Sequence, residues 1–117
     1  MKLDHERLDV YQVSLDFAAW SYELAKQLRG VDRHSRDQLL RASQSITLNI
    51  AEGCGRTGDP ELRRFCLIAM GLASELEYHL LLAYDLKYLE PSAYRSLEAA
   101  VTEVKRMLAS LIAKLKD

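Results

Sequence analysis

Apolar residues recur every three or four positions along almost the whole chain, and polar residues fill the positions between them. This spacing places the apolar side chains on one face of an α-helix, and no window shows the alternation typical of a β-strand. The pattern predicts four helices, at about 8–29, 35–54, 60–88 and 91–116. Short connections make successive helices antiparallel. We therefore predict an all-α fold in which 1–117 form one domain, an up-down-up-down antiparallel four-helix bundle.

Residues at the predicted helix starts support these boundaries. Ser35 and Gln38 have the spacing of a capping box at the start of the second helix. Asp59 is the expected N-cap of the third helix, and Pro60 is suited to its first turn. Pro91 takes the same place in the fourth helix. All three connections are therefore predicted to be short.

The same spacing predicts which face of each helix is buried. The second predicted helix has the apolar stripe Leu39, Ala42, Ile46, Ile50 and Gly53. The third has Leu62, Phe65, Cys66, Ala69, Leu72, Ala73, Leu76, Leu80 and Ala83. The fourth has the seam Tyr94, Leu97, Val101, Val104, Leu108, Leu111 and Leu115. The heptad spacing of this seam favours shallow-angle packing of the kind found in four-helix bundles.

Two of the helices carry more apolar surface than one small core requires. The first has two stripes, Leu8, Tyr11, Leu15, Ala18, Tyr22 and Ala25, and Val10, Val13, Phe17, Trp20 and Leu24. The third has four apolar residues off its stripe, Leu67, Met70, Leu81 and Leu82. Because large exposed apolar patches are usually occupied, this surplus predicts a contact between identical subunits; a generous core is the alternative. Gly71 destabilises a helix, so we expect it where a neighbouring helix comes close.

Composition narrows the cellular setting. The formal net charge is −1, so no overall basic field points to nucleic acid or to an anionic membrane. The N-terminal residues lack the apolar segment of a signal peptide, and no apolar run is expected to span a bilayer. We therefore predict a cytoplasmic protein with no membrane partner. Cys54 and Cys66 are expected to be reduced thiols, because two cysteines alone are too few for structural zinc.

Motifs that suggest chemistry lack the context that the chemistry needs. The run Gly53-x-Gly55-x-x-Gly58 follows a predicted helix rather than a strand, so it is not a dinucleotide site. No Glu-x-x-His pair of a di-iron bundle is present. We therefore predict no enzyme activity, no catalytic residue, no metal and no cofactor. The alternative is a small ligand- or metal-binding bundle that uses Glu52, Glu75 and His79.

A polar stripe runs beside the apolar stripe of the second predicted helix and allows two interpretations. The structural one is a polar lock that holds this helix against the third helix or a neighbouring subunit, since polar groups at an interface must be paired. The lock consists of Ser45, Asn49, Glu52 and Glu75. The functional one is contact with nucleic acid through arginines. The candidate arginines are Arg41, Arg56, Arg63 and Arg64. Acidic neighbours dilute their charge, and no aromatic residue is expected among them for base stacking.

Several motifs together resemble the four helix bundle protein family, first noticed as open reading frames inside intervening sequences of bacterial 23S ribosomal RNA genes. They are Leu8-Asp9-Val10-Tyr11, Gln38-Leu39-Leu40-Arg41-Ala42, Ser45-Ile46-x-x-Asn49-Ile50-Ala51-Glu52-Gly53-x-Gly55-Arg56, Arg64-Phe65, Ile68-Ala69-x-Gly71, Glu75-Leu76-Glu77 and Asp85-Leu86-x-Tyr88-Leu89. Members are similar to the accessory protein of diversity-generating retroelements, a barrel-shaped homopentamer that binds nucleic acid and reverse transcriptase. The resemblance therefore implies a homopentamer here, with nucleic acid and a reverse transcriptase as partners.

This chain departs from the family pattern in two respects. Thr47 stands where the family often has proline, and the chain is nearly neutral, whereas the retroelement proteins are strongly basic. The expected function is accordingly a non-enzymatic, homo-oligomeric helical bundle that acts as an interaction scaffold, with weak nucleic-acid binding.

Overall fold

The computed structural model describes residues 12, 15–16, 18–19, 33–56 and 58–115, and these residues contain helices and no strand. Three helices are defined: α1, Arg33–Cys54; α2, Asp59–Asp85; and α3, Pro91–Lys114. They correspond to the second, third and fourth predicted helices. The predicted first helix, 8–29, lies outside the described residues except for five positions, all helical. The all-helical class is confirmed for the described residues, and the four-helix bundle stays a prediction.

The central helix of the three is α2, which packs against α1 on one side and α3 on the other. Gly53 near the end of α1 lies beside Phe65 in the second turn of α2. At the other end of the pair, Leu39 of α1 and Leu80 of α2 line the same cleft. Positions early in α1 therefore lie beside positions late in α2, so the two helices are antiparallel.

The same argument applies to α2 and α3. Lys105 Nζ of α3 donates a hydrogen bond to Glu77 Oε1 of α2 at 2.6 Å. Nearer the connection, the rings of Tyr84 and Tyr94 stack with their centroids 4.4 Å apart. These two contacts fix an antiparallel register for α2 and α3.

The core is a single apolar cluster to which all three helices contribute. Its fully buried large side chains include Ile46, Ile50, Leu62, Leu76, Leu97, Val101, Leu108 and Leu111. The predicted seam of α3 is buried throughout, except for Tyr94, which is half-buried. One buried polar side chain, Ser43, satisfies its hydroxyl by donating to the Leu40 carbonyl at 3.0 Å. The apolar pattern therefore predicted the buried faces of these helices correctly.

The helix ends differ from the predicted ones by up to three residues. The helix α1 begins at Arg33, which places Ser35 inside its first turn, so the capping box predicted there is wrong. The N-cap of α2 is Gly58 rather than Asp59. At its C-terminus α2 stops at Asp85 because Lys87 has a positive φ of 66°. The Tyr88 N–H then donates back to the Ala83 carbonyl at 2.8 Å, a Schellman-type ending.

By length and composition alone, α2 is apolar enough to cross a membrane. The expectation that no apolar run reaches that length is therefore wrong for this helix. The same helix supplies seven buried residues to the core and packs against two neighbours. The core helix of a folded domain meets the same criterion, so length and composition do not separate the two.

Candidate functional site

The glycine-rich turn between α1 and α2 closes by hydrogen bonds to α1 itself. The Gly55 N–H lies 3.1 Å from the Ala51 carbonyl and 3.2 Å from that of Glu52. The Arg56 N–H donates to the Gly53 carbonyl at 3.2 Å. A phosphate-binding loop needs such N–H groups directed at the ligand. Here they complete the last turn of the helix, in agreement with the rejection of the dinucleotide motif.

Close contact between the helices at this end of the molecule depends on Gly53. A Cβ atom at this position would lie 2.8 Å from the Phe65 Cβ and 3.0 Å from the Leu62 Cδ1. Carbon atoms in contact prefer about 3.5–4.0 Å, so only glycine fits without displacement. This close approach brings the arginine that follows α1 next to the first two turns of α2.

Two guanidinium groups meet at the ring of Phe65. Arg64 Cζ lies 4.5 Å from the ring centroid, and Arg56 Cζ lies 5.5 Å from it, both within cation–π range. Arg56 also binds Glu52 at 2.7 Å, and Arg64 binds Glu61 at 3.3 Å. The turn therefore carries two arginines at one aromatic ring, and each arginine is also paired with a carboxylate.

Sequence reasoning did not find the role of Phe65, because its apolar stripe assigned it to the core. It is half-buried and serves as a platform for the arginines. The adjacent letters Arg64-Phe65 were a signal, but Arg56 reaches the ring only because α1 crosses α2 at Gly53. The expectation that no aromatic residue lies among the arginines is wrong for this ring.

The structure groups some of the candidate arginines and separates one. Arg63 is half-buried in the first turns of α2, next to Arg64 in the chain, and has an interaction partner of its own. Arg41 is exposed on α1, and it precedes Arg56 by fifteen residues, roughly 22 Å along a helix axis. Glu52, Asp59 and Glu61 stand among the other three arginines, so this end carries no net positive charge.

The residues of the predicted polar lock bond mainly within α1. Asn49 Nδ2 donates to the Ser45 carbonyl at 2.8 Å, and Glu52 accepts from Arg56 one turn later. Glu75 is exposed on α2, ten residues beyond Phe65 and so roughly 15 Å further along the helix. A contact of this stripe with a second subunit stays a prediction.

The three residues of the ligand- or metal-binding alternative do not share one site. Glu75 and His79 lie on successive turns of α2, whereas Glu52 lies at the other end, beside Arg56. Among the described residues, no group of three or more His, Cys, Asp or Glu side chains could hold a metal ion. Cys54 is half-buried and Cys66 is buried, and the two are not joined by a disulfide.

His79 instead lines a cleft of about 210 Å³ between the start of α1 and the end of α2. Most of its walls are leucines, with polar groups from Gln38, His79 and Tyr88.

On the other side of α2, burial raises the pKa of Tyr94 of α3, and the carboxylates of Glu98 and Asp85 add to that effect.

Comparison with known proteins places these features in context. Residues 6–110 match the family described as 23S rRNA-intervening sequence protein. A solved structure of similar fold is that of a protein of unknown function from the S23 ribosomal protein family of Bacteroides thetaiotaomicron VPI-5482. It is 29% identical, with a TM-score of 0.83 over 93% of this chain and 99% of that one. A search among curated proteins gave no match.

Proposed function

Because the chain belongs to the 23S rRNA-intervening sequence protein family and exposes an apolar face on its central helix, we propose that it is a non-enzymatic, homo-oligomeric interaction scaffold of the cytoplasm. The observation that carries this proposal is the outward side of α2, opposite the core. Its large apolar residues and their exposed fractions are Tyr78 75%, Leu82 56%, Leu67 46%, Leu81 43% and Ile68 39%.

A helix at the surface of a small domain normally has one apolar stripe and a polar opposite face. The inward face of α2 already has its stripe, from Leu62 to Ala83, and this stripe is buried. The outward face carries large exposed apolar residues again over about four turns, in two groups with Ser74 and Glu75 between them. Monomeric proteins rarely expose large apolar patches, so a partner is the simplest explanation. A second copy of the same chain is always available as that partner.

The order of the assembly and one partner come from the family resemblance. The accessory protein of diversity-generating retroelements is a homopentamer, so we propose five subunits as the starting hypothesis. A reverse transcriptase is the corresponding candidate for a protein partner.

Size-exclusion chromatography with light scattering tests the assembly. At micromolar concentration we expect a mass at least twice that of the single 13.3 kDa chain. Leu82→Lys, which places a charge in the exposed patch, should lower that mass. Ala99→Lys, at an exposed position of α3, is the matched control and should leave it unchanged. A wild-type chain that elutes as a monomer would refute the proposal.

Weak contact with nucleic acid is a second candidate function, favoured by the meeting of Arg56 and Arg64 on Phe65. Guanidinium groups held in fixed positions suit phosphate oxygens, although here each has a carboxylate partner that a phosphate would have to displace. Binding should therefore be weak and should fall steeply with salt.

A gel-shift titration with single-stranded RNA over a series of salt concentrations tests this contact. The double variant Arg56→Gln/Arg64→Gln should abolish the shift, whereas Arg95→Gln/Arg106→Gln on α3 should keep it. No shift at low salt would exclude the contact.

A further inference from the structure

On the outward face of α2, residues at equal distances on either side of its midpoint are complementary to each other. Counting outward from the pair Ser74 and Glu75, the small Gly71 on one side matches the large Tyr78 on the other. One turn further, Leu67 matches Leu82. At the ends, the positive Arg64 matches the negative Asp85. Small meets large, apolar meets apolar, and positive meets negative.

From this arrangement we propose that two copies of the chain pack their α2 helices antiparallel, related by a two-fold axis that passes beside Ser74 and Glu75. The inference rests on the proposed self-association and adds the face, the direction and the register. An isologous contact requires a surface that is complementary to itself, and this face meets that requirement at the three pairs of matched positions on either side of the axis.

Near the centre of the contact, a large side chain, Tyr78, faces a glycine, Gly71. Tyr78 is 75% exposed. Gly71, two turns away on the same face, is also exposed, and no atom of the described residues lies within 4 Å of a Cβ built there. Gly71 thus has no packing role towards the part of the chain that the structure describes, although glycine inside a helix costs stability, ~1 kcal/mol against alanine. In the antiparallel pair, each tyrosine ring lies over the glycine of the other copy, which lets the two helices approach closely.

Charges define the ends and the middle of the same contact. Arg64 lies at the height of the other copy's Asp85, and a guanidinium with five N–H groups can hold that carboxylate while keeping Glu61. In the middle, Glu75 lies beside the same residue of the other copy. That like-charge pair opposes association, so the contact is reversible and the glutamate limits its strength.

A two-fold contact gives even numbers of subunits. A ring of five uses faces related by a five-fold rotation, so the α2 pair would be a separate contact that joins two chains or two rings. The predicted masses are those of two or of ten chains.

Disulfide cross-linking tests the contact directly. With Cys54 replaced by serine, only the buried Cys66 remains. Ser74→Cys then places a thiol next to its symmetry mate, within the ~4.5 Å Cβ separation that a disulfide needs. Mild oxidation should give a covalent dimer. Ser110→Cys, exposed on α3, is the matched control and should stay monomeric on a denaturing gel.

The outcomes separate this inference from the proposed function. A wild-type monomer in light scattering would overturn both. An oligomer in which Ser74→Cys does not cross-link, or cross-links no better than Ser110→Cys, would overturn the α2 contact alone. A mass of five chains with no cross-link would do the same. Flotation of the wild type with phosphatidylcholine vesicles would assign the face to a lipid surface and would also overturn the contact.

Two further variants test the register. Gly71→Ala should raise the dissociation constant at least about tenfold, because the added methyl group fills the space that Gly71 leaves for Tyr78. Circular dichroism should show a fold no less stable than the wild type, so loss of association could not be attributed to unfolding. Glu75→Gln should lower the dissociation constant roughly threefold by removing the like-charge pair. If Glu75→Gln weakened association, or if Gly71→Ala left it unchanged, the register would be wrong.

Discussion

Replacing Gly53 by alanine tests the close packing on which the α1–α2 end depends. The new Cβ would lie 2.8 Å from the Phe65 Cβ, which is fixed to the backbone and cannot rotate away. It would also lie 3.0 Å from the Leu62 Cδ1, whose side chain is fully buried. The two helices must therefore separate by a good part of an ångström, and the Phe65 ring must move with α2.

Two opposing effects determine the magnitude. Overpacking of a tight contact costs about 1–3 kcal/mol. Alanine is a better helix former than glycine by up to ~1 kcal/mol, but Gly53 is the penultimate residue of α1, where that gain is smaller. We therefore expect the free energy of unfolding to fall by about 1–2 kcal/mol.

Urea denaturation followed by far-ultraviolet circular dichroism measures this change at a fixed protein concentration. Gly55→Ala is the matched control. Its Cβ would lie 3.6 Å from the nearest atom, an ordinary contact, so we expect a change of less than about 0.5 kcal/mol. If Gly53→Ala were as stable as the wild type, the inference that α1 and α2 require glycine at their crossing would be refuted.

Three further predictions concern the second connection and the α2–α3 groove. Lys87→Gly should raise the free energy of unfolding by about 0.5–1 kcal/mol in the same urea assay, because Lys87 has a φ of 66° that glycine adopts without strain; no gain would contradict the Schellman-type ending. The raised pKa of Tyr94 contributes stability below the unfolded value of about 10 and loses it as the pH rises through the folded pKa. Between about pH 10 and the folded pKa the wild type should therefore lose stability more steeply than Tyr94→Phe, and parallel curves across that interval would contradict this. Lys105→Met should cost about 0.5–1 kcal/mol at low salt by leaving Glu77 without its partner, and a double-mutant cycle with Glu77→Gln should recover that coupling.

The periodic pattern could predict the buried faces of α1, α2 and α3 because the spacing of apolar residues is a local property of a helix. It could not predict the end of α2, since the turn depends on Lys87 adopting a conformation that its side chain does not favour. The site shows the same division. The arginines were visible in the sequence, but their meeting on Phe65 depends on the depth at which α1 crosses α2.

The three residues of the ligand-binding alternative are kept apart for a geometric reason. Glu52, Glu75 and His79 share a polar character and lie on adjacent helices, which makes them candidates when only the sequence is known. The antiparallel register then places Glu52 at the turn, at the level of the second turn of α2, and the other two roughly 15 Å or more further along. A register is set by long-range packing, so periodicity within one helix contains no information about it.

The two helix glycines show what a sequence cannot distinguish and a structure can. Gly53 and Gly71 both lie in apolar helices, and the sequence suggested close approach of a neighbour at Gly71 alone. Gly53 has that neighbour within its own chain, at 2.8 Å from where its Cβ would lie. Among the described residues, Gly71 has none within 4 Å of that point, and it lies on an exposed face of α2. If the cost of a glycine within a helix is offset by packing, the proposed α2 contact supplies that packing for Gly71, because Tyr78 of the second copy lies over it.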